Sequence, residues 1–76
     1  MTRLPARKGS DVIRALRKAG FSVVRIKGSH HILEHGTDPR RRTTVPIHKG
    51  KDLPRGLIQG ILSDVKLTSD EFAALL

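Results

Sequence analysis

The chain has 76 residues and contains no cysteine, tryptophan or tyrosine. Without cysteine it can form neither a disulfide nor a thiolate metal site, a composition compatible with a reducing compartment. Its two phenylalanines, Phe21 and Phe72, both lie among apolar residues. Proteins that bind single-stranded nucleic acid by stacking expose aromatic rings. We therefore expect any nucleic acid to be bound mainly through phosphate contacts and shape.

Long apolar runs are also missing. No stretch approaches the ~20 apolar residues of a membrane span, and the basic N-terminal segment lacks the apolar core of a signal peptide. We therefore expect a cytoplasmic protein that binds no membrane. A chain of 76 residues suits one domain, which we place at residues 1–76, with a modest core. Any chemistry should then occur on a surface, because so small a chain is not expected to enclose a large cavity.

Acidic side chains are scarce, since seven Asp and Glu stand against fifteen Lys and Arg, for a net charge of +8. The imbalance is uneven: fourteen basic and four acidic side chains fall within residues 1–55. A positive field of this kind attracts polyanions. We favour nucleic acid, or else an acidic protein, as the partner over a surface that is basic only for solubility.

The first helix is predicted at residues 9–19, where Val12, Ile13 and Leu16 form one apolar stripe. Ser10 is the expected N-cap, because its hydroxyl can accept from the free N–H groups of the first turn. Gly20 is the expected stop, because glycine enters the left-handed conformation without steric cost.

A second helix is predicted at residues 53–65, with Asp52 as its N-cap. Its apolar stripe consists of Leu57, Ile58, Ile61, Leu62 and Val65. Gly56 and Gly60 form a G-x-x-x-G pair within it. In a helix of this kind the pair is expected to permit close backbone packing rather than dimerisation in a membrane.

Three strands are predicted between the helices, at residues 22–27, 30–34 and 43–47. Gly28-Ser29 suits a two-residue hairpin turn with glycine at the first central position. Side-chain alternation predicts two faces for the first strand, Val24 and Ile26 on one and Val23, Arg25 and Lys27 on the other.

A capping box at Thr68–Glu71 predicts a short last helix. The order of elements is therefore helix, three strands, helix and a short C-terminal helix. This order indicates an α+β domain with a three-stranded antiparallel sheet and two helices on one face. It is the α-β-β-β-α topology of the double-stranded RNA-binding domain, and it leaves the other face of the sheet for solvent or a ligand.

Three of the four histidines, His30, His31 and His35, fall within six residues. Adjacent strand residues point to opposite faces, so the spacing does not suit a metal, and we expect none. Imidazole, with a pKa of about 6.5, both accepts and donates protons near neutral pH, which is what cleavage of RNA requires. From the residues alone, a catalytic role for these histidines and a role as ordinary strand residues are about equally supported. The residues also do not decide which histidine faces inward.

The sequence resembles the HicA toxin family of small mRNA interferases over nearly its whole length. The resemblance runs through KAGFSVVRIKGSHHIL and TTVPIHKGKDLPRGLIQGIL. The Gly20-Phe21 step, the Gly28-Ser29-His30 motif and the Val45-Pro46-x-His48 motif occur in the family's order and spacing. The resemblance implies the same α-β-β-β-α fold that the order of the elements predicts.

The resemblance also implies an activity, a site and a partner. By this resemblance the protein is expected to be an endoribonuclease that cleaves translated mRNA, and we expect it to need no cofactor. By this resemblance His30 is the catalytic residue, and His48 is the second candidate, as a phosphate contact or the acid. His31 is implied to be a structural or supporting neighbour. The resemblance further implies a HicB-like antitoxin protein that holds the toxin inactive.

The remaining site residues follow from their position near the hairpin. Arg25, Lys27, Lys49 and Lys51 are the expected phosphate-binding cations, and each could equally be a solvated surface charge. Ser29 is expected to hydrogen-bond a phosphate, and Gly28 to allow the RNA to approach closely. Two rival hypotheses remain: a non-catalytic RNA-binding module of the same fold, and an interaction protein whose basic face binds only an acidic partner.

Overall fold

The computed structural model describes Leu4 and residues 6–76. In chain order the elements are β1 (Arg7–Lys8), α1 (Gly9–Lys18), β2 (Phe21–Lys27), β3 (His30–His35), β4 (Arg42–Pro46), β5 (Asp52–Leu53), α2 (Arg55–Val65) and α3 (Ser69–Leu75). Strands β2, β3 and β4 form an antiparallel sheet with β3 in the centre, while β1 and β5 pair as a separate two-stranded ribbon. The predicted α+β fold is confirmed. None of the described helices has the length and apolar character to cross a membrane.

A single hydrophobic core lies between the sheet and the helices. Its fully buried side chains are Val12 and Leu16 of α1, Leu33 and Val45 of the sheet, Ile58 and Val65 of α2, and Phe72 of α3. Both α1 and α2 pack against β4. We call the helix-covered face of the sheet the inner face and the opposite one the outer face. Because one face carries the core, the other is left open.

A β-bulge in β2 changes which of its side chains share a face. Val23 lies opposite Leu33 in β3, whereas Arg25 lies opposite Ile32. Since Leu33 and Ile32 are consecutive and point to opposite faces, Val24 is the extra residue of the bulge. Arg25 and Lys27 therefore lie on the outer face and Val23 on the inner face. The predicted grouping of these three side chains on one face is wrong.

Both predicted N-caps are wrong as well, for a shared reason. Helix α1 begins at Gly9 and α2 at Arg55, and neither has a capping side chain. The residue before α1, Lys8, pairs with Asp52 in the ribbon of β1 and β5. Asp52 is thus a strand residue, and Ser10 lies inside the first turn of α1.

Helix α2 buries most of its predicted stripe but leaves one side open. Leu57 retains 40% of its surface exposed. Gly56 and Gly60 are exposed, and a Cβ atom added to either would meet no atom within 4 Å. The expectation that these glycines permit close packing is therefore wrong within the described part of the chain.

The ends of two helices agree with the sequence-based predictions. Gly20 follows α1 with φ of 96°, as its role as a stop requires. At the start of α3, Thr68 Oγ1 accepts from the N–H of Glu71 at 3.0 Å, and Glu71 Oε1 accepts from the N–H of Thr68 at 2.8 Å. Hydrogen bonds from Thr68 to this carboxylate, the one from its backbone N–H first, lower the pKa of Glu71.

Candidate active site on the outer face of the sheet

The β2–β3 hairpin presents the Gly28-Ser29-His30 motif at its tip. Lys27 and His30 pair directly across a two-residue turn. Gly28 has φ of 59° and Ser29 a negative φ, the pattern of a type II′ turn. A Cβ atom at Gly28 would meet nothing within 4 Å, so backbone conformation, rather than space, requires glycine here.

His30 lies on the outer face with its side chain exposed. It sits between Lys27 of β2 and Pro46 of β4, since it pairs with both. Directly opposite residues of an antiparallel pair have Cβ atoms about 4.5–5.5 Å apart. The side chains of Lys27 and His30 therefore leave the backbone next to each other, while Pro46 offers only a small apolar ring on the other side.

Arg25 adds a second cation to the same face. It lies opposite Ile32, which in turn lies opposite Thr44 of β4. Arg25 and Lys27 share this face because Val24 is bulged out of the ladder. Both are exposed, and the outer face around His30 is accordingly electropositive.

A backbone hydrogen bond joins the hairpin turn to the segment that precedes His48. The N–H of Ile47 donates to the carbonyl of Ser29 at 2.8 Å. This bond extends the β3–β4 ladder by one residue and places the chain leading to His48 beside the turn. Ser29 is half-buried. Its main chain therefore helps to assemble the site, whereas a phosphate contact by its hydroxyl stays a prediction.

Residues 48–51 form a tight turn that carries the remaining predicted site residues. The N–H of Lys51 donates to the carbonyl of His48 at 3.0 Å, and Gly50 has φ of 75°. His48, Lys49 and Lys51 are all exposed. The structure thus brings a third and a fourth cation to the end of the sheet where His30 lies.

His31 points to the inner face, as expected for a neighbour of His30 in a strand. It lies opposite the fully buried Val45 and opposite Ile26. Its Nδ1 atom is buried and has no hydrogen-bond partner among the described residues. This placement makes His31 a packing residue and separates its ring from the outer-face cations.

His35 also has a structural environment, and it is the last residue of β3, one residue beyond the predicted strand. Its ring meets that of Phe21 edge to face at a centroid distance of 5.0 Å. Its Nδ1 accepts from the N–H of Thr37 at 3.2 Å. A side chain at Gly20 would approach its Nε2 atom to 3.0 Å. Close packing rather than chemistry explains this histidine.

The outer face also holds one ion pair that the sequence did not indicate. Arg42, one residue before the predicted third strand, is the first residue of β4, and its Nη1 atom lies 2.9 Å from Glu34 Oε2. The pair neutralises the end of the face remote from His30. Among the described residues, the cations of this face without an ion-pair partner therefore lie toward the hairpin.

The chemistry available at the site is that of imidazole, hydroxyl, ammonium and guanidinium groups. Within Leu4 and residues 6–76, no three His, Cys, Asp or Glu side chains group closely enough to hold a metal ion. Imidazole can transfer protons at neutral pH, and the cations can bind phosphate and stabilise negative charge.

The model of the family described as "HicA toxin of bacterial toxin-antitoxin" matches residues 9–67 of the 76-residue chain. The chain belongs to the HicA toxin family. A comparison with the curated proteins found no match. The matched region of this HicA-family toxin includes α1, the whole sheet, the 48–51 turn and α2. It therefore contains both His30 and His48, whereas α3 lies beyond it.

Proposed function

We propose that this HicA-family chain is the toxin of a type II toxin–antitoxin system and cleaves mRNA as an endoribonuclease, with His30 as its catalytic residue. The observation that carries the proposal is the exposure of His30 on the outer face directly opposite Lys27. A proton-transfer group is thus held on an open surface beside a cation. Such a surface admits a flexible RNA strand without an enclosed cleft.

The reaction that these groups support is an intramolecular transesterification. A base removes the proton of a ribose 2′-hydroxyl, and the freed oxygen attacks the adjacent phosphorus. The bond from phosphorus to the 5′-oxygen breaks, and an acid gives that oxygen a proton. The products are a 2′,3′-cyclic phosphate and a 5′-hydroxyl. His30 supplies one of the two proton transfers, and no step requires a metal ion.

His48 is the candidate for the second proton transfer. The hydrogen bond between Ile47 and Ser29 keeps the start of its turn next to the hairpin tip. His48 therefore lies at the same end of the sheet as His30. If His48 contacts a phosphate instead, its replacement changes RNA affinity more than the rate of cleavage.

The phosphate contacts come from cations around this end of the sheet, namely Arg25, Lys27, Lys49 and Lys51. Lys27, opposite His30, has the best position to stabilise charge on the phosphoryl oxygens of the transition state. Gly28, without a side chain, leaves the tip open to the RNA backbone. The Ser29 hydroxyl is assigned a hydrogen bond to phosphate.

The partner of the toxin is proposed to be a HicB-like antitoxin acting in the cytoplasm, where mRNA is translated. An acidic protein surface competes well for a basic face, because unlike charges speed association and favour the complex. Neutralisation then follows from covering the outer face around His30.

The test compares the wild type with His30→Ala on single-stranded RNA in the presence of EDTA. Because His30 is exposed, the variant should keep its melting temperature and its affinity for RNA. We expect fragments from the wild type alone. His48→Ala is assayed in parallel. A lower cleavage rate would support a role in the second proton transfer, whereas a loss of RNA affinity alone would support a phosphate contact.

Two results would overturn the proposal. Equal cleavage by the wild type and His30→Ala would remove His30 from the chemistry. No cleavage by the wild type on free RNA or on translated mRNA, with RNA binding intact, would support a non-catalytic RNA-binding module.

A further inference from the structure

The edge of the sheet formed by β4 has no neighbouring strand among the described residues. The N–H of Ile47 donates to Ser29 and the carbonyl of Arg41 accepts from His35, so both residues direct their backbone groups toward β3. Strand backbone groups alternate in direction. Arg42, Thr44 and Pro46 therefore direct theirs away from β3. In the part of the chain that the structure describes, no strand pairs with that edge of β4.

Only the first part of this edge is open to a further strand. Pro46 has no N–H, and its carbonyl lies so close to Gly9 that an added Cβ there would come within 2.6 Å of the oxygen. The usable donors and acceptors are thus the N–H and C=O groups of Arg42 and Thr44. An extended chain opposite these two residues can form up to four hydrogen bonds.

A groove of about 480 Å³ runs between this open edge and α2. Its lining consists of Arg42, Thr43, Thr44, Leu57, Gly60, Ile61 and Asp64. The missing side chain at Gly60 keeps the groove open, since a Cβ there would meet nothing within 4 Å. Leu57, 40% exposed, offers an apolar contact beside it. The groove thus combines an unpaired edge with a pocket for one side chain.

The two elements that form the groove, β4 and α2, continue from it toward the candidate active site. Asp64 accepts a hydrogen bond from Thr43 Oγ1 at 2.9 Å, so the C-terminal turn of α2 lies beside the start of β4. The chain just before α2 pairs with Arg7–Lys8, next to Gly9 and hence next to Pro46. The start of α2 therefore lies at the Pro46 end of β4, the end at which His30 is found.

We propose that an extended segment of the antitoxin docks in this groove as an added strand on β4. The inference rests on the proposed function, because it takes the occupant to be the partner that neutralises the toxin. A strand on this edge would carry the residues that flank it at the Pro46 end toward His30. Strand addition to an open edge is a common mode of peptide recognition, in which main-chain bonds give affinity and pockets give specificity.

Charge favours an acidic segment over a second copy of this chain. At the Pro46 end the segment would meet Lys49, Lys51 and Arg55, all exposed. Two copies of the chain each carry a net charge of +8 and repel one another. An acidic residue next to the added strand at this end gains from the same cations that are proposed to hold RNA phosphates.

The test compares Gly60→Gln with Gly56→Gln in a toxin co-expressed and purified with the proposed HicB-like antitoxin. The two substitutions are chemically identical and lie one turn apart on exposed positions of α2, and Gly60 alone of the two lines the groove. Both variants should fold, because glutamine has a higher helix propensity than glycine and its side chain has space at both positions. Neither residue belongs to the site around His30.

We expect Gly60→Gln to weaken the complex by about tenfold or more, because the filled groove excludes the added strand. Gly56→Gln should bind within about twofold of the wild type, as surface substitutions usually do. RNA cleavage by the isolated variants should be unchanged. In growth assays Gly60→Gln should remain toxic when the antitoxin is present, while Gly56→Gln is neutralised.

Hydrogen exchange locates the added strand directly. In the wild-type complex the backbone amides of Arg42 and Thr44 should exchange more slowly than in the free toxin. Unchanged exchange at these amides, or equal affinity of the two glycine variants for the antitoxin, would overturn the groove proposal. A concentration-dependent homodimer that protects the same amides without antitoxin would overturn it in favour of a second copy.

These measurements test the groove proposal independently of the proposed nuclease activity. Antitoxin affinity and amide exchange do not require RNA cleavage. Loss of binding specific to Gly60→Gln therefore supports the groove even if the wild type cuts no RNA. Conversely, cleavage that depends on His30, together with full neutralisation of Gly60→Gln, leaves the proposed function standing and removes the groove.

Discussion

Histidine has a different role on each of the two faces of the sheet. On the inner face His31 and His35 pack among buried side chains, while Leu33 and Val45 are fully buried. On the outer face His30 is exposed beside Lys27. The pleat of one strand separates two adjacent histidines into a structural and a functional environment.

The difference shows how a small domain can carry both a core and a site. A domain of this size buries little surface and is marginally stable, so its packed face cannot tolerate much chemistry. The bulge at Val24 places Arg25 and Lys27 on the open face, where charge has no burial cost. Stability and function then depend on separate sets of residues.

The largest expected effect is the loss of RNA cleavage on replacing His30, compared with replacing its neighbour His31. His30→Ala should lower the rate of RNA cleavage by about 10²–10⁴-fold, the usual contribution of one general acid or base, with an unchanged melting temperature. His31→Ala should do the reverse, lowering the melting temperature while folded protein cleaves at nearly the wild-type rate. Cleavage rates and thermal unfolding of both variants check this, and equal rate losses would contradict the assignment of faces.

The next effect compares two other neighbours in β3. Leu33→Ala should lower the free energy of unfolding by about 2–5 kcal/mol, because it leaves a cavity in the core. Ile32→Ala, on the half-exposed outer face, should cost less than about 1 kcal/mol. Denaturant unfolding measures both, and an unchanged m-value would show that the denatured state is unaffected. Similar costs at the two positions would contradict the register.

A smaller effect concerns the cations of the outer face. Lys27→Gln should reduce the slope of log affinity against log salt concentration by about 0.7, the value for one phosphate contact on a single strand. Lys66→Gln, at the exposed end of α2, is the matched control and should leave the slope unchanged. RNA titrations at several salt concentrations provide the slopes. A change with Lys66→Gln as large as that with Lys27→Gln would indicate general charge attraction rather than a contact.

The smallest expected effect is on the pH dependence of stability, and it concerns Glu71 of α3, which belongs to neither face of the sheet. Because the folded pKa of Glu71 lies below its usual value of 4.5, the folded state binds that proton less tightly than the unfolded state. The contribution of Glu71 to stability is therefore present above pH 4.5 and lost as the pH falls through the lowered value. Glu71→Gln should flatten the acid side of the curve of unfolding free energy against pH. Denaturant unfolding at several pH values measures this curve, and an unchanged acid side would contradict the prediction.

Local sequence signals predicted much of this architecture. The apolar stripes of both main helices, the glycine turn of the hairpin and the capping box at Thr68 each depend on a few neighbouring residues. The same local rule predicted that His30 and His31 face opposite sides. These features needed no knowledge of the rest of the chain.

The errors arose where distant segments meet. Ser10 and Asp52 look like caps, but the pairing of β1 with β5 determines where both helices begin. The bulge at Val24 depends on how β2 aligns with β3. The open side of α2 at Gly60 depends on the unpaired edge of β4. None of these long-range alignments has a short sequence signature.

The measurement that tests the central claim most directly is the chemical nature of the ends left on RNA cleaved in EDTA. The proposed reaction at His30 predicts a 2′,3′-cyclic phosphate on one fragment and a 5′-hydroxyl on the other. Fragments with a 3′-hydroxyl and a 5′-phosphate would contradict it, because they require water rather than the 2′-hydroxyl as the nucleophile.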